Sequence, residues 1–257
     1  MIQTKQSEWT QQWQLFKDDE LFLFQDWIYP NRLEDFRDKK VLECGCGGGQ
    51  HTAFIVPYAG KILAVDLNTI DIAKERNRNF SHVSFLEADI AEMDLGEQFD
   101  IVFSVGVIHH TLNPEKTVEN LKRHLVKNGT IILWVYSQEG NFLARHMIEP
   151  IRKIFLRRIS RKRLSAAARL LTFILYVPVY TIYLLPLTFL PYYDYFKNFR
   201  KLSFGRNTLN VFDKLNAPHV DFISKERIQK WFDTDDYYDI HISPYRNVSW
   251  RISAKKK

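Results

Sequence analysis

Short apolar runs alternate with amphipathic stretches through the middle of the chain. Five of these runs predict strands, at 41–43, 62–65, 83–87, 99–105 and 130–136. The stretches between them predict helices at 50–58, 69–79 and 114–126, the last with a proline at its start. A further helix is expected at 224–232, followed by strands at 238–242 and 248–252. Strands that alternate with helices at this spacing indicate βαβ units and a parallel sheet.

This alternation predicts an α/β protein with a Rossmann-like, doubly wound, mostly parallel sheet of seven strands. Residues 1–40 are rich in Trp, Phe and acidic residues and predict a helical N-terminal arm. Residues 138–223 interrupt the alternation after strand five and predict a helical cap insertion, first basic and then apolar. Residues 41–137 and 224–257 form the main domain, with a frayed tail at 255–257.

The positive charge is concentrated in one segment. The chain has a net charge of +6, yet residues 151–193 hold eight Lys or Arg and no Asp or Glu. The remainder has 28 basic against 30 acidic residues. A local basic patch indicates a local anionic partner more than a general affinity for nucleic acid.

Cysteine content and the first residues favour a reduced, cytoplasmic protein. Cys44 and Cys46 are the two cysteines, too few for a disulfide framework or a zinc site, and no other metal site is expected. The first 13 residues are polar and have no apolar core preceded by basic residues, unlike a secretory signal.

A glycine-rich loop follows the first predicted strand and precedes a helix. It reads Glu43-Cys44-Gly45-Cys46-Gly47-Gly48-Gly49. A dinucleotide site would have G-x-G-x-x-G, but the third glycine position is Gln50 here. The carboxylate of Glu43 suits the ammonium group of an amino-acid ligand better than a pyrophosphate. A plain glycine-rich turn is the alternative.

Aspartates end the next two predicted strands. Asp66 can accept the hydroxyls of a ribose, and Asp89 can accept a hydrogen bond from an adenine amino group. Either could instead be a helix N-cap. Two aspartates at successive strand ends after the glycine loop form an ordered set, at the edge of the sheet where α/β proteins bind ligands.

At these positions the chain resembles the class I S-adenosylmethionine (SAM)-dependent methyltransferases, in the group often called type 11. The matching text is VLECGCGGG, AVDLN, LEADI and FDIVFSVGVIHHTLNPEKTVENLKRHLVKNGTIILWVYS. The family's Lys-Pro-Gly-Gly turn is replaced at 127–130, which affects no cofactor contact. The resemblance implies SAM as cofactor and the following cofactor-binding residues: Glu43, Cys44, Gly45, Gly47 and Gly49 around the methionine part, Asp66 and Leu67 at the ribose, Asp89 and Ile90 at the adenine, and Ser104, Val105 and Gly106 at the sulfonium.

The outer parts resemble a bacterial methyltransferase subgroup often encoded near surface-glycan or natural-product genes. The similar text is FLFQDWIYP, YSQEGN, PYYDYF and FDKLNAPHVDFISKERIQKWF. This resemblance supports the domain layout and implies no substrate.

Methyl transfer from a sulfonium mainly requires positioning of the acceptor. A base is needed if the acceptor is a hydroxyl or an amine that must lose a proton. His109 and His110 follow strand four and are candidate catalytic bases, with helix capping or packing as the alternative. Candidate substrate contacts, each with a structural alternative, are Trp27, Tyr29, Tyr136 and His219.

The insertion contains a 24-residue stretch without a charge, 170–193, which is long enough to span a bilayer. Three prolines interrupt it, and a single crossing would divide one catalytic fold between two sides of a membrane. Two interpretations remain. The segment is a cap that covers the acceptor pocket or forms a homodimer interface, or residues 151–201 rest on an anionic membrane surface at the inner membrane face. In both, an apolar pocket roof favours a bulky or lipid-linked acceptor.

The sequence therefore predicts a SAM-dependent methyltransferase for a small-molecule, sugar or lipid-linked acceptor, methylated at oxygen or nitrogen. One alternative is an RNA methyltransferase of the wobble-uridine type. Nucleic acid is disfavoured because the basic residues adjoin an apolar run and not the exposed aromatic residues that stack on bases. A SAM-binding protein without transferase activity is the other alternative.

Overall fold

Seven strands form one mixed sheet in the computed structural model, which describes residues 5–17, 20–156 and 159–257. The strand order is β3-β2-β1-β4-β5-β7-β6. Strands β1 to β5 run parallel, and β7 lies antiparallel between β5 and β6. The expected mostly parallel, seven-stranded Rossmann-like sheet is confirmed. The strands are β1 (Lys40–Cys44), β2 (Lys61–Asp66), β3 (Val83–Glu87), β4 (Phe99–Val105), β5 (Leu125–Tyr136), β6 (Tyr237–Tyr245) and β7 (Ser249–Lys256).

Helices cover both faces of the sheet and build the insertion after β5. The helices are α1 (Ser7–Leu15), α2 (Leu21–Ile28), α3 (Gln50–Ile55), α4 (Ile70–Arg76), α5 (Pro114–Arg123), α6 (Glu149–Ile154), α7 (Arg161–Val179), α8 (Tyr193–Phe199), α9 (Phe204–Asn216) and α10 (Lys225–Trp231). Short 3₁₀ turns lie at Leu33–Phe36, Ile108–His110 and Ile182–Leu184, and a π-helical turn lies at Ala144–Ile148.

The central strands are apolar because both of their faces are covered. Leu42 and Val102 belong to a core that includes Ile228 of α10. Val41 and Phe103 face the other way, into a core that includes Phe24 of α2. Neighbouring residues of a strand point to opposite faces, so parallel strands buried on both faces appear as continuous apolar runs.

The fifth strand begins earlier than predicted. Helix α5 ends at Arg123, and Leu125 already pairs with Phe99 of β4, whose amide donates to the carbonyl of His124. The pairing resumes between Ile101 and Thr130, so residues 126–129 form a bulge inside β5. Asn128 has a φ of 61° there. Asn128 and Gly129 therefore lie in a bulge within the strand, and the helix predicted at 114–126 ends before this strand begins.

The expectation of a frayed C-terminal tail is wrong. Lys255 pairs with Thr130 of β5. The Lys256 ammonium donates to the carbonyl of Leu125 at 3.0 Å. The tail is ordered because β7 lies between two strands and its backbone groups are paired on both sides.

The arm and the insertion pack together above the sheet. Leu164 and Ala168 of α7 pack on Phe212 of α9, with Phe16 of the arm at their edge. The chain returns to the sheet where Ser137 pairs with Ile223. Within the described ranges, no helix is both long enough and apolar enough to cross a membrane.

Candidate functional site

A cleft of about 1180 Å³, including its open mouth, lies over the carboxyl ends of β1 to β5. The loops after these strands form its floor, and α1 and α9 form its walls. Its lining includes, from the predicted cofactor residues, Gly45, Gly47, Asp66, Leu67, Asp89, Ile90, Val105 and Gly106.

The glycine loop is tight and leaves no room for side chains. Gly45 has a φ of +84°, and a Cβ built there would lie 2.4 Å from Cγ2 of Val107. Gly47 has a φ of +54°, and a Cβ there would lie 2.9 Å from Nε1 of Trp13. Positive φ and close approach both require glycine. Both glycines line the cleft, so their backbone is accessible to a ligand there.

Glu43 is buried behind this loop. Its Oε2 accepts a hydrogen bond from the Thr52 hydroxyl, and its Oε1 has no hydrogen-bond partner among the described residues. Burial raises the pKa of Glu43 to about 8, against the lowering effect of the Thr52 hydrogen bond. A buried carboxyl oxygen without a partner is costly. A cationic group of a ligand would offset that cost.

Asp66 is held at the end of β2 by backbone amides. Its Oδ1 accepts from the amides of Asn68 (2.7 Å) and Thr69 (3.1 Å), and its Oδ2 accepts from Gly47 (3.0 Å). Burial raises its pKa, and these hydrogen bonds act in the opposite direction. The carboxylate is thus fixed at the wall of the cleft with acceptor capacity left on Oδ2, which suits a ribose hydroxyl.

Other predicted cofactor residues lie behind the cleft. The Ser104 hydroxyl donates to the carbonyl of Cys44 at 2.8 Å, and both side chains are fully buried. Gly49 faces α4, where a Cβ would lie 2.9 Å from Cα of Ala73. Their positions indicate support of the loop and of β4, and the structure does not bring them to the cleft surface.

Three residues that the sequence reasoning did not select line the cleft from α1. They are Trp9, Gln12 and Trp13. Their i, i+3, i+4 spacing on one helix face is the signal that could have identified them. The arm thus closes one side of the cofactor cleft.

The two candidate bases have different surroundings. His110 lines the cleft, and its Nδ1–H donates to the carbonyl of His219 at 2.7 Å. This tautomer leaves Nε2 with its lone pair. Burial lowers the pKa of His110, so the neutral form is favoured at neutral pH. His110 therefore has the tautomer and the protonation state of a base.

His109 is fully buried and does not line the cleft. Its Nδ1 accepts a hydrogen bond from the amide of Tyr136 at 3.3 Å. Burial lowers its pKa well below the usual value. This position indicates a packing role, the alternative that the sequence left open.

A carboxylate of the insertion joins the site to the arm. Oδ2 of Asp213 accepts from the Tyr136 hydroxyl at 2.8 Å, and Oδ1 accepts from the Gln12 amide at 3.0 Å. Burial raises the pKa of Tyr136 well above its usual value, so its hydroxyl keeps its proton. The sequence reasoning missed Asp213. The spacing of Arg206, Leu209 and Asp213 on one face of α9 could have revealed it.

A second cavity, the inner chamber, adjoins the cleft beneath the insertion and measures about 800 Å³ including its opening. Both cavities share Trp27, Trp134, Tyr136, Arg206, Asn210 and Asp213. The chamber's charged lining residues are Glu149, Arg152, Arg206, Asp213, Lys214 and Arg246.

The roof of the inner chamber carries polar groups as well as the expected apolar ones. Asn141, Glu149, Arg152 and Asn198 bring polar atoms to the roof of the inner chamber, beside the apolar Ala144 and Ile148. Residues 170–193 line neither the cleft nor the inner chamber. The uncharged run of the insertion therefore lies outside both cavities.

Of the remaining candidate substrate residues, Trp27 and Tyr136 line both cavities. Tyr29 is half-exposed and packs against His241 and Arg251, away from both cavities. His219 reaches the site through its carbonyl, which holds His110, and its side chain lines neither cavity.

Comparison with known proteins agrees with this geometry. Residues 42–133 match the family model described as "Methyltransferase domain". A curated relative, the tRNA U34 carboxymethyltransferase of Glaesserella parasuis serovar 5 (strain SH0165), is 29% identical over 122 residues. That match covers 45% of this chain and 38% of the relative. The similarity to such relatives thus spans well under half of their length.

Solved structures match over the whole chain. An N-methyltransferase, NodS from Bradyrhizobium japonicum WM9 in complex with S-adenosylhomocysteine, has a TM-score of 0.53, 13% identity and coverage of 97% of this chain and 98% of that one. Magnesium protoporphyrin IX methyltransferase from Synechocystis PCC 6803 with bound S-adenosylhomocysteine has a TM-score of 0.55, 10% identity and coverage of 98% and 94%. These likenesses show a shared fold.

The match of residues 42–133, together with the fold and the site, defines a SAM-dependent methyltransferase domain of the class I fold in this part of the chain, with SAM as its cofactor. The residues present fit that cofactor. The unpartnered Oε1 of Glu43, buried just behind the loop, favours a cationic group nearby, Gly45 and Gly47 line the cleft where the methionine part would lie, and Asp66 presents an acceptor to the ribose.

Proposed function

We propose that the protein transfers a methyl group from SAM to a hydroxyl or amine of a small-molecule, sugar or lipid-linked acceptor. The observation that carries this proposal is the inner chamber, which shares Tyr136, Arg206 and Asp213 with the cofactor cleft. An acceptor in the chamber would lie next to the cofactor. The charged and amide side chains of the lining favour a polar reacting part.

The chain's own residues would position the acceptor and remove a proton. When bound, SAM supplies an activated methyl group. Nε2 of His110 is the proposed base for the acceptor proton, because Nδ1–H is held by the carbonyl of His219. The Asp213 carboxylate, held by Tyr136 and Gln12, would orient a donor group of the acceptor. The roof of the insertion would exclude water.

The test uses purified protein, methyl-labelled SAM and a lysate of the cell from which the protein derives. The product is divided into organic-extractable, small polar, protein and nuclease-sensitive fractions. The matched control is Asp66→Ala, which removes the proposed ribose contact. Label in the organic or small polar fraction that the control lacks supports the proposal. Label only in protein contradicts it.

An RNA acceptor is the second candidate function. Curated relatives over the cofactor-binding part are named tRNA U34 carboxymethyltransferases, and residues 151–193 hold eight basic and no acidic residues. Phosphate contacts would make RNA binding strongly salt-dependent. Label that nuclease releases would favour RNA over the lead proposal. SAM binding without label in any fraction would favour a protein that binds SAM without transferring its methyl group.

A further inference from the structure

Helix α7 presents an apolar face to solvent. Its buried positions, Leu164, Ala168, Thr172 and Val179, lie on one side. At 100° per residue, the opposite side carries four side chains that are each more than half exposed. They are Leu170 (60%), Phe173 (66%), Ile174 (53%) and Val177 (63%).

The turn after α7 extends this apolar surface. Ile182, Leu184, Leu185 and Phe189 are 50–79% exposed. We call the outer residues of 170–189 the apolar tip. Exposed apolar surface of this extent is rare on proteins that remain free in solution and marks a site of contact.

Basic residues adjoin the apolar tip on the same helix. Lys162, Arg163 and Arg169 are exposed; helical spacing places Arg163 on the outward side of α7 and the other two on its flank. Arg163 lies about 10 Å along the helix axis from Leu170. Interfacial helices bury their apolar face by roughly 5–10 Å. With α7 lying in the interface, its apolar side can enter the acyl boundary while the long basic side chains reach the head groups.

The tip is firmly joined to the site. The Arg200 guanidinium donates to the carbonyls of Val179 (3.3 Å) and Tyr183 (2.9 Å), which fixes the end of α7. The Asn207 amide donates to the Tyr176 hydroxyl at 3.0 Å, which joins α7 to α9. Helix α9 carries Arg206 and Asp213 into both cavities. The orientation of the tip therefore sets the orientation of the cavities.

From these observations we propose that the apolar tip docks on an anionic membrane surface. The tip enters the interface, and the basic end of α7 binds anionic head groups. A second copy of the chain is a poorer occupant, because a twofold contact over this face would bring the basic residues of both copies together. Residues 151–193 contain no Asp or Glu, so no carboxylate of this segment would offset the repulsion between the basic residues of the two copies.

Co-sedimentation with vesicles tests the proposal. Wild-type protein is expected to bind vesicles that contain phosphatidylglycerol and to bind pure phosphatidylcholine vesicles much more weakly. The double variant Leu170→Ser/Phe173→Ser should lose about tenfold or more in vesicle partitioning for each removed side chain. Leu112→Ser, 48% exposed on the loop before α5, is the matched control and should bind like wild type.

Charge reversal tests the head-group contact. Lys162→Glu/Arg163→Glu should lose about fivefold or more for each reversed residue. Lys39→Glu/Lys127→Glu makes the same change in net charge at the opposite edge of the sheet and should keep binding. SAM affinity is measured for every variant and should not change, so failure of docking is distinguishable from failure of the cofactor site.

Two outcomes would overturn the proposal. One is wild-type protein that ignores anionic vesicles. The other is a dimer of the wild-type protein, detected by light scattering, that becomes a monomer in the variant Leu170→Ser/Phe173→Ser. The apolar tip would then be covered by a second copy of the chain.

Discussion

At the scale of single residues, Glu43 links cofactor binding to pH. Its pKa of about 8 in the folded protein exceeds the ordinary 4.5, so the folded state holds a proton that the unfolded state has lost between these values. The free energy of unfolding contributed by this group is therefore greatest below pH 4.5 and falls as the pH rises through about 8. A bound ammonium group favours the carboxylate and releases that proton.

We accordingly expect SAM affinity to increase between about pH 6 and 8, by at most tenfold per pH unit. Calorimetry in buffers of different ionisation enthalpy should show proton release on binding. Glu43→Gln should weaken binding and flatten its pH dependence. An equally steep dependence in that variant would show that another group titrates.

His110 is the second residue whose role can be isolated. His110→Ala should lower kcat by about 10²–10⁴-fold while SAM affinity changes little, as for the loss of a general base. His219→Ala is the matched control, because it retains the carbonyl that holds His110. Because burial lowers the pKa of His110, activity should fall only at pH values below the usual pKa of histidine. Equal losses of kcat in His110→Ala and His219→Ala would argue against His110 as the base.

At the scale of elements, the glycine loop depends on space as well as on backbone conformation. Gly45→Ala would place a Cβ 2.4 Å from Val107 at a φ of +84° and should abolish SAM binding. Gly96→Ala is the control: its φ is +61°, and no described atom lies within 4 Å of a Cβ built there. Backbone strain alone should cost about 1–2 kcal/mol. Urea unfolding of both variants measures how much more stability Gly45→Ala loses than Gly96→Ala, and this difference is the cost of crowding against Val107. Equal losses of unfolding free energy in the two variants would contradict a role for crowding.

At the scale of the whole molecule, the arm and the insertion are held together over the sheet. The buried Gln12 donates to Asp213 and accepts from the Asn216 amide at 3.0 Å. Gln12→Ala should cost about 1–3 kcal/mol by leaving these groups without a partner. Hydrogen exchange should increase in α1 and at the end of α9 but not in the central strands.

Gln14→Ala, exposed on the same helix, should leave both stability and exchange unchanged. A local effect of Gln12→Ala that is confined to α1 would mean that the arm and the insertion are independent of each other.

The sequence alone determined the sheet and its ligand-binding edge. Each strand is a local apolar run, and the glycine loop with Asp66 and Asp89 follows such runs directly, so neighbouring residues were enough to predict them. The bulge in β5 at 126–129 was not predicted, because pairing with β4 decides where a strand continues.

Only the tertiary structure decided what surrounds the cofactor cleft. It placed His110 in the cleft and His109 behind it, brought Asp213 to Tyr136 across 77 positions of the chain, and kept residues 170–193 away from both cavities. These outcomes depend on packing between distant segments. Composition gives the apolar content of residues 170–193, but only the arrangement of α7 on α9 fixes which face is left to solvent.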